Sequence, residues 1–221
     1  MDRLLTQALK QAASSSSVNN ANGAHEKWFA NILASFGFVE KKIAGLNKKQ
    51  IKKKKAEHLQ DIDLYIEDAR SQATKSSLTM WFVQQPLGDQ NTPDFLISDE
   101  GGNLFYIELK SSSSEDKITW NGGWPKDDFI YLFSSGKYKA QTVFMGSTCW
   151  DLKVKHALLE HSDKLKALTD CFNETLGSNQ SYYTRNMYND NNKYYSRDNR
   201  EQYEQSVYDF VNSFAKKEEV A

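Results

Sequence analysis

Asp94, Glu108 and Lys110 are the residues of this 221-residue chain whose types and spacing could do chemistry. Glu108 follows Asp94 by fourteen positions, and a turn-forming run, Asp99-Glu100-Gly101-Gly102-Asn103, lies between them. The run separates two short apolar stretches, 94–98 and 104–109, which read as the arms of a hairpin. Folded symmetrically about Gly101, the hairpin pairs Ser98 with Leu104, Leu96 with Tyr106, and Asp94 with Glu108. Like charges so opposed are destabilising unless something positive lies beside them. A divalent cation meets that need. Hard oxygen ligands select Mg2+, which takes one or two protein carboxylates and fills its other positions with water and substrate phosphate. Period-two alternation puts Lys110 on the face of Glu108. The chemistry expected is phosphodiester hydrolysis, in which the ion neutralises charge on a scissile phosphate and Lys110 holds or helps to deprotonate the attacking water.

The elements that must position these residues read as follows. Leu4, Leu5, Ala8, Leu9 and Ala12 recur at helical spacing, and a Ser/Asn-rich stretch from Ser14 to Gly23 then reads as a linker. Residues 1–23 are thus expected to be an N-terminal helix and linker ahead of a core over 24–174. That core opens with an amphipathic helix carrying Trp28, Phe29, Ile32, Leu33 and Phe36, with Glu26 near its start and Gly37 as its C-terminal cap. A β-rich run at 78–83 joins 94–98 and 104–109 in a three-strand meander, and runs at 129–133 and 142–145 extend the sheet. Leu152 to Phe172 marks another helix and Val207 to Phe214 a terminal one. Residues 175–221 read as a C-terminal recognition segment with that terminal helix. Seven of the eleven tyrosines fall there, interleaved with asparagines, Arg185, Lys193, Arg197 and Arg200. Such a composition suits a surface rather than a core.

Composition removes several function classes. The formal charge is −1, so any nucleic-acid contact needs a local basic face rather than an overall excess of positive charge. Residues 41–55 hold eight lysines and no acid, followed by a helical stripe (Leu59, Ile62, Ile66, Ala69) to about Ala73. The run is either a solvated face or a set of phosphate contacts. Cys149 and Cys171 stand 22 apart with no CxxC, so neither a disulfide framework nor a zinc knuckle is indicated and a cytoplasmic location is expected. No secretory or membrane-spanning apolar run is present in the sequence. His25-Glu26 opens like a zinc-protease helix, but Phe29 occupies the place of the second histidine. His156 and His161, five apart, split across a helix surface, and no GxxxxGK[ST] occurs.

Pro93-Asp94 followed by Glu108-Leu109-Lys110 on an apolar strand resembles the active site of the PD-(D/E)xK nuclease superfamily, to which most type II restriction endonucleases belong. The resemblance spans roughly residues 24–168. It implies an α/β, restriction-endonuclease-like mixed central sheet flanked by helices. It also implies Mg2+-dependent cleavage of double-stranded DNA at a short sequence by a homodimer, in a system with a cognate DNA methyltransferase. On this resemblance Asp94 and Glu108 hold the metal, Lys110 orients the nucleophile, and Glu26 supports the site. Trp120-Asn121-Gly122-Gly123-Trp124-Pro125 is then a DNA-facing loop, with Asn121 and Trp124 as contacts, unless both are ordinary turn residues. Arg185, Asn186 and Arg197 are candidates for reading base edges, since asparagine and arginine match adenine and guanine edges. A structure-specific repair or recombination nuclease of the same fold is the alternative enzyme. A DNA-binding module that does not cut is the alternative of another class.

Overall fold

Period-two alternation in the apolar runs builds the centre of the molecule, because each strand can bury one side-chain set on each face of a sheet. The structure is a computed structural model that describes residues 2–18, 23–41, 80–86, 92–113, 117–121, 124–176, 181–184, 187–190 and 192–214. Its strands are β1 (Val39–Glu40), β2 (Trp81–Gln84), β3 (Phe95–Ser98), β4 (Leu104–Ser112), β5 (Ile118–Asn121), β6 (Ile130–Ser135), β7 (Ala140–Met145) and β8 (Met187–Asp190). The helices are α1 (Leu4–Ala13), α2 (Ala24–Ser35), α3 (Leu152–Leu176) and α4 (Arg197–Ser213), with a short 3-10 turn at Gly146–Thr148. The chain is a mixed α/β protein whose main sheet has six strands in the order β1-β2-β3-β4-β6-β7. The β1–β2 and β4–β6 pairs are parallel and the others antiparallel. The expected meander is the antiparallel set β2-β3-β4, and β6 and β7 extend it.

Alternation divides the side chains cleanly. Phe82, Phe95, Ile97, Phe105, Ile107, Leu109, Ile130, Leu132, Val143 and Met145 face one core, which three helices cover. Leu5, Leu9, Phe29, Leu33, Val207 and Val211 come from those helices and are fully buried there. Each such side chain contributes roughly 1.5–3 kcal/mol by leaving water. The other face carries Tyr131, Phe133 and Phe144, covered by Ile118 and Trp120 of β5 and by Tyr194. β5 pairs with β8 in a second, two-stranded antiparallel sheet.

Three expectations change here. The folded body begins with α1, not near Ala24, because α1 packs between α2, α4 and β7 as part of the main core. Residues 14–18, after α1, are fastened rather than loose: Val18 N–H donates to Ser134 Oγ (2.8 Å), and Gln141 Nε2 donates to the Ser16 carbonyl (3.1 Å). The tyrosines of the C-terminal segment divide. Tyr194 is fully buried, and the Tyr195 hydroxyl reaches the carbonyls of Phe133 and Ala140, whereas Tyr182 and Tyr183 are exposed. An aromatic ring with one polar atom can enter a core when a carbonyl meets that atom, which composition alone does not reveal. The run at 42–55 and the stripe to Ala73 lie outside the described residues. No helix among the described residues is long and apolar enough to cross a membrane.

Candidate active site

Register decides which acids meet. Asp99 sets it. Its Oδ1 accepts the backbone N–H groups of Gly101 and Asn103, both at 2.9 Å, tying the turn to one residue. Gly102 takes φ +74, a conformation that suits glycine. From that turn the ladder runs Ser98↔Leu104, Ile97↔Phe105, Leu96↔Tyr106 and Phe95↔Ile107, the pairing the symmetric hairpin predicts. The next position brings Asp94 against Glu108. Asp94 N–H donates to Glu108 Oε2 at 3.2 Å, and Asp94 Oδ2 accepts Leu109 N–H at 2.7 Å, so the two residues extend the ladder with their side chains.

Glu108 and Lys110 leave β4 on the face opposite Phe105, Ile107 and Leu109, as alternation requires. Lys110 Nζ donates to Glu108 Oε1 at 2.8 Å. The Glu108 side chain is only 7% exposed and that of Lys110 27%, so the lysine marks the open side of the cluster. The cluster lies where β3 begins, beside the middle of β4, with Glu108 opposite Tyr131 and Lys110 opposite Phe133 of β6.

Helix α2 begins near the close of β6. Gly23 caps it at φ +70, and His25 Nε2 lies 3.1 Å from Gln141 Oε1 beside the start of β7. Glu26 stands in its first turn, and its Oε2 is buried without a hydrogen-bond partner. The charge of Glu26 is felt at Asp94. Burial first and the Glu108 carboxylate second push the Asp94 carboxyl up to about 7. The Leu109 N–H and Lys110 pull it down, and Glu26 pushes it up again. Three acids therefore crowd one lysine.

The fit to a divalent cation follows from that imbalance. Asp94 keeps one carboxylate oxygen with no hydrogen bond among the described residues, and Glu26 holds an orphaned one. No group of three histidine, cysteine, aspartate or glutamate side chains is close enough to be a complete ligand set among the described residues. Two carboxylates suffice for Mg2+, whose remaining positions take water and phosphate. Asp94 and Glu108 are the residues that would hold it, with Glu26 further out.

Of the other residues singled out in sequence, Asn121, Trp124 and Arg197 are among those described. Trp120 and Asn121 belong to strand β5 rather than to a loop, with Asn121 opposite Met187 in the ladder. Ile118 and Trp120 alternate with Thr119 and Asn121, a short strand pattern overshadowed by the neighbouring glycines. Trp124 is half-buried beside Trp150, with ring centroids 6.0 Å apart. Arg197 opens α4, while Arg185 and Asn186 lie outside the described residues. Arg200 is structural: its guanidinium donates to the carbonyls of Ala13 (2.7 Å) and Gln141 (2.8 Å) and to Glu204 (2.7 Å). Sequence reading passed over Trp120 as a site residue, although Lys110 Nζ lies over its ring.

No family model, no curated protein and no solved structure matches this chain.

Proposed function

We propose that the chain is a Mg2+-dependent endonuclease that hydrolyses phosphodiester bonds in double-stranded DNA. Its mixed sheet is taken as restriction-endonuclease-like, and its action as that of a type II restriction enzyme, a homodimer cutting at a short specific sequence. The observation carrying the reading is the direct linkage of Asp94, Glu108 and Lys110 where β3 meets β4: two acids, one of them with an oxygen to spare, and one amine on a partly open rim.

Bound Mg2+ supplies charge neutralisation at the phosphate and a water of lowered pKa. The remaining work falls to the chain. Leu109 N–H holds one Asp94 oxygen and leaves the other for the site. Glu108 is oriented by Asp94 N–H on one oxygen and by Lys110 on the other. The ammonium of Lys110 has three hydrogens and one is used on Glu108, so two remain to orient a nucleophilic water or a phosphate oxygen. Glu26 lends outer support through its charge.

Incubation of the full chain with phage DNA and Mg2+ tests the reading. Discrete fragments, lost on chelation and absent with Asp94→Ala, are expected. Cleavage confined to branched substrates would point to a repair or recombination nuclease. DNA binding without cleavage in Mg2+ or Mn2+, unchanged by Lys110→Ala, would make the chain a binding module.

A further inference from the structure

We infer that Trp120 is a positioning residue for Lys110: its indole face, carried on the small β5–β8 sheet, holds the ammonium against Glu108. The inference rests on the nuclease reading for its kinetic arm only.

Lys110 Nζ is 2.8 Å from Glu108 Oε1 and 5.5 Å from the centroid of the Trp120 ring. That distance lies within the range at which a cation is attracted by an aromatic quadrupole. The ring itself has little freedom. Trp120 is 3% exposed and meets Tyr131 edge-on, with centroids 4.9 Å apart at 88°. Tyr131 is in turn the ladder partner of Glu108 across β4 and β6. Glu108, Lys110, Trp120 and Tyr131 therefore form a closed circuit in which each member touches or pairs with the next.

The indole carries a cost that a phenyl ring would avoid. Its Nε1–H is buried without a hydrogen-bond partner, which is destabilising. What tryptophan supplies in return is the strongest cation-attracting face among the natural rings. A lysine has four rotatable bonds, and one carboxylate fixes only where its ammonium ends. The ring limits a second side and leaves the open quarter of the side chain for substrate. Trp120 pairs with Tyr188 in the β5–β8 ladder, so the setting of Lys110 depends on a sheet built from strands far apart in the chain. Whatever moves that sheet moves the lysine.

The test uses the full chain labelled with ε-13C lysine. The ε-methylene protons of Lys110, assigned by their loss in Lys110→Arg, are expected upfield of the other lysines through the ring current. Trp120→Leu is expected to return them to the common position. A common position in the wild type overturns the inference. Acylation of Lys110, read by mass spectrometry, is expected to be about fivefold faster in Trp120→Leu than in wild type, with Trp120→Phe between them. Equal rates would overturn it. In single-turnover cleavage Trp120→Leu is expected to lose about tenfold in rate, with DNA affinity measured under chelation unchanged and Trp120→Phe recovering most of the rate. Parallel loss of rate and affinity would show a merely structural role. Should Trp120→Leu not fold, Trp120→Phe and the wild-type spectrum decide the question. Should the wild type cut no DNA, the nuclease reading falls while the spectrum and the acylation rates still judge the tie between Trp120 and Lys110.

Discussion

At each end of the β3–β4 hairpin an acid meets a base, and the two ends are built differently. At the turn, Asp99 accepts from Gly101 N, Asn103 N and Asn103 Nδ2, and its Oδ2 lies 2.7 Å from Arg3 Nη1, an ion pair too bent for a hydrogen bond. That carboxylate is fully buried and fully engaged. At the open end Asp94 and Glu108 share one lysine, Glu26 adds a third negative charge nearby, and an Asp94 oxygen is left over. A cluster that satisfies its own charges holds a fold together. One that does not, on a partly open rim, is poised for a ligand.

The contrast can be broken from either end. Lys110→Ala should act chiefly on chemistry, lowering DNA cleavage by at least about a thousandfold because it removes a proton-handling group on the rim, and should lower Tm as well because buried Glu108 loses its cation. Asp99→Ala should act on stability. It leaves buried Arg3 with only its longer contact to Glu100 (3.5 Å) and the turn unpinned, so denaturant titration should show a loss of roughly 3–5 kcal/mol. Without that loss, the turn-end cluster is not structural.

Asp94→Asn sharpens the comparison through pH. The native Asp94 carboxyl keeps its proton up to about 7, while in the unfolded chain it titrates near 3.8. Unfolding between those values releases a proton, so the stability contributed by the protonated form is complete below the lower value and is lost as pH rises through the upper one. Asp94→Asn should therefore match wild type near pH 4 and exceed it by up to about 4 kcal/mol above pH 7 without metal. A difference independent of pH would remove the strain attributed to the acid pair. Because the metal needs an ionised carboxylate, Mg2+ should also bind more tightly as pH rises from 6 towards 7, which calorimetry can follow. The smallest effect expected is that of Glu26→Gln, about a tenfold loss of rate. Removing that like charge should also move the acid limb of the rate profile to lower pH. An unmoved limb would separate Glu26 from the site.

Local chemistry made the hairpin legible. The Asp-Glu-Gly-Gly-Asn run specifies a turn and the apolar arms specify two faces, which together place Asp94 opposite Glu108 and Lys110 beside Glu108. Helix α2 and its capping Gly37, at φ +88, were legible for the same reason. Other features were not. The helical spacing of α1 is plain, yet its burial depends on α4 nearly two hundred residues later, where Asn212 Oδ1 accepts from Arg3 N–H and Thr6 Oγ. The sequence of α3 suggests an ordinary packed helix, but none of its residues is buried and Leu152 and Leu168 stand 74% and 69% exposed.

By itself the sequence determined which side chains share a strand face and which residues oppose one another across a tight turn. Period-two geometry and turn stereochemistry act over a few bonds. Only the tertiary structure decided that β6 lies parallel beside β4, that α2 brings Glu26 within electrostatic reach of Asp94, and that β5 meets β8 so that Trp120 lies under Lys110. Those contacts join distant segments, and they are selected by how whole faces pack rather than by any residue's neighbours in the chain.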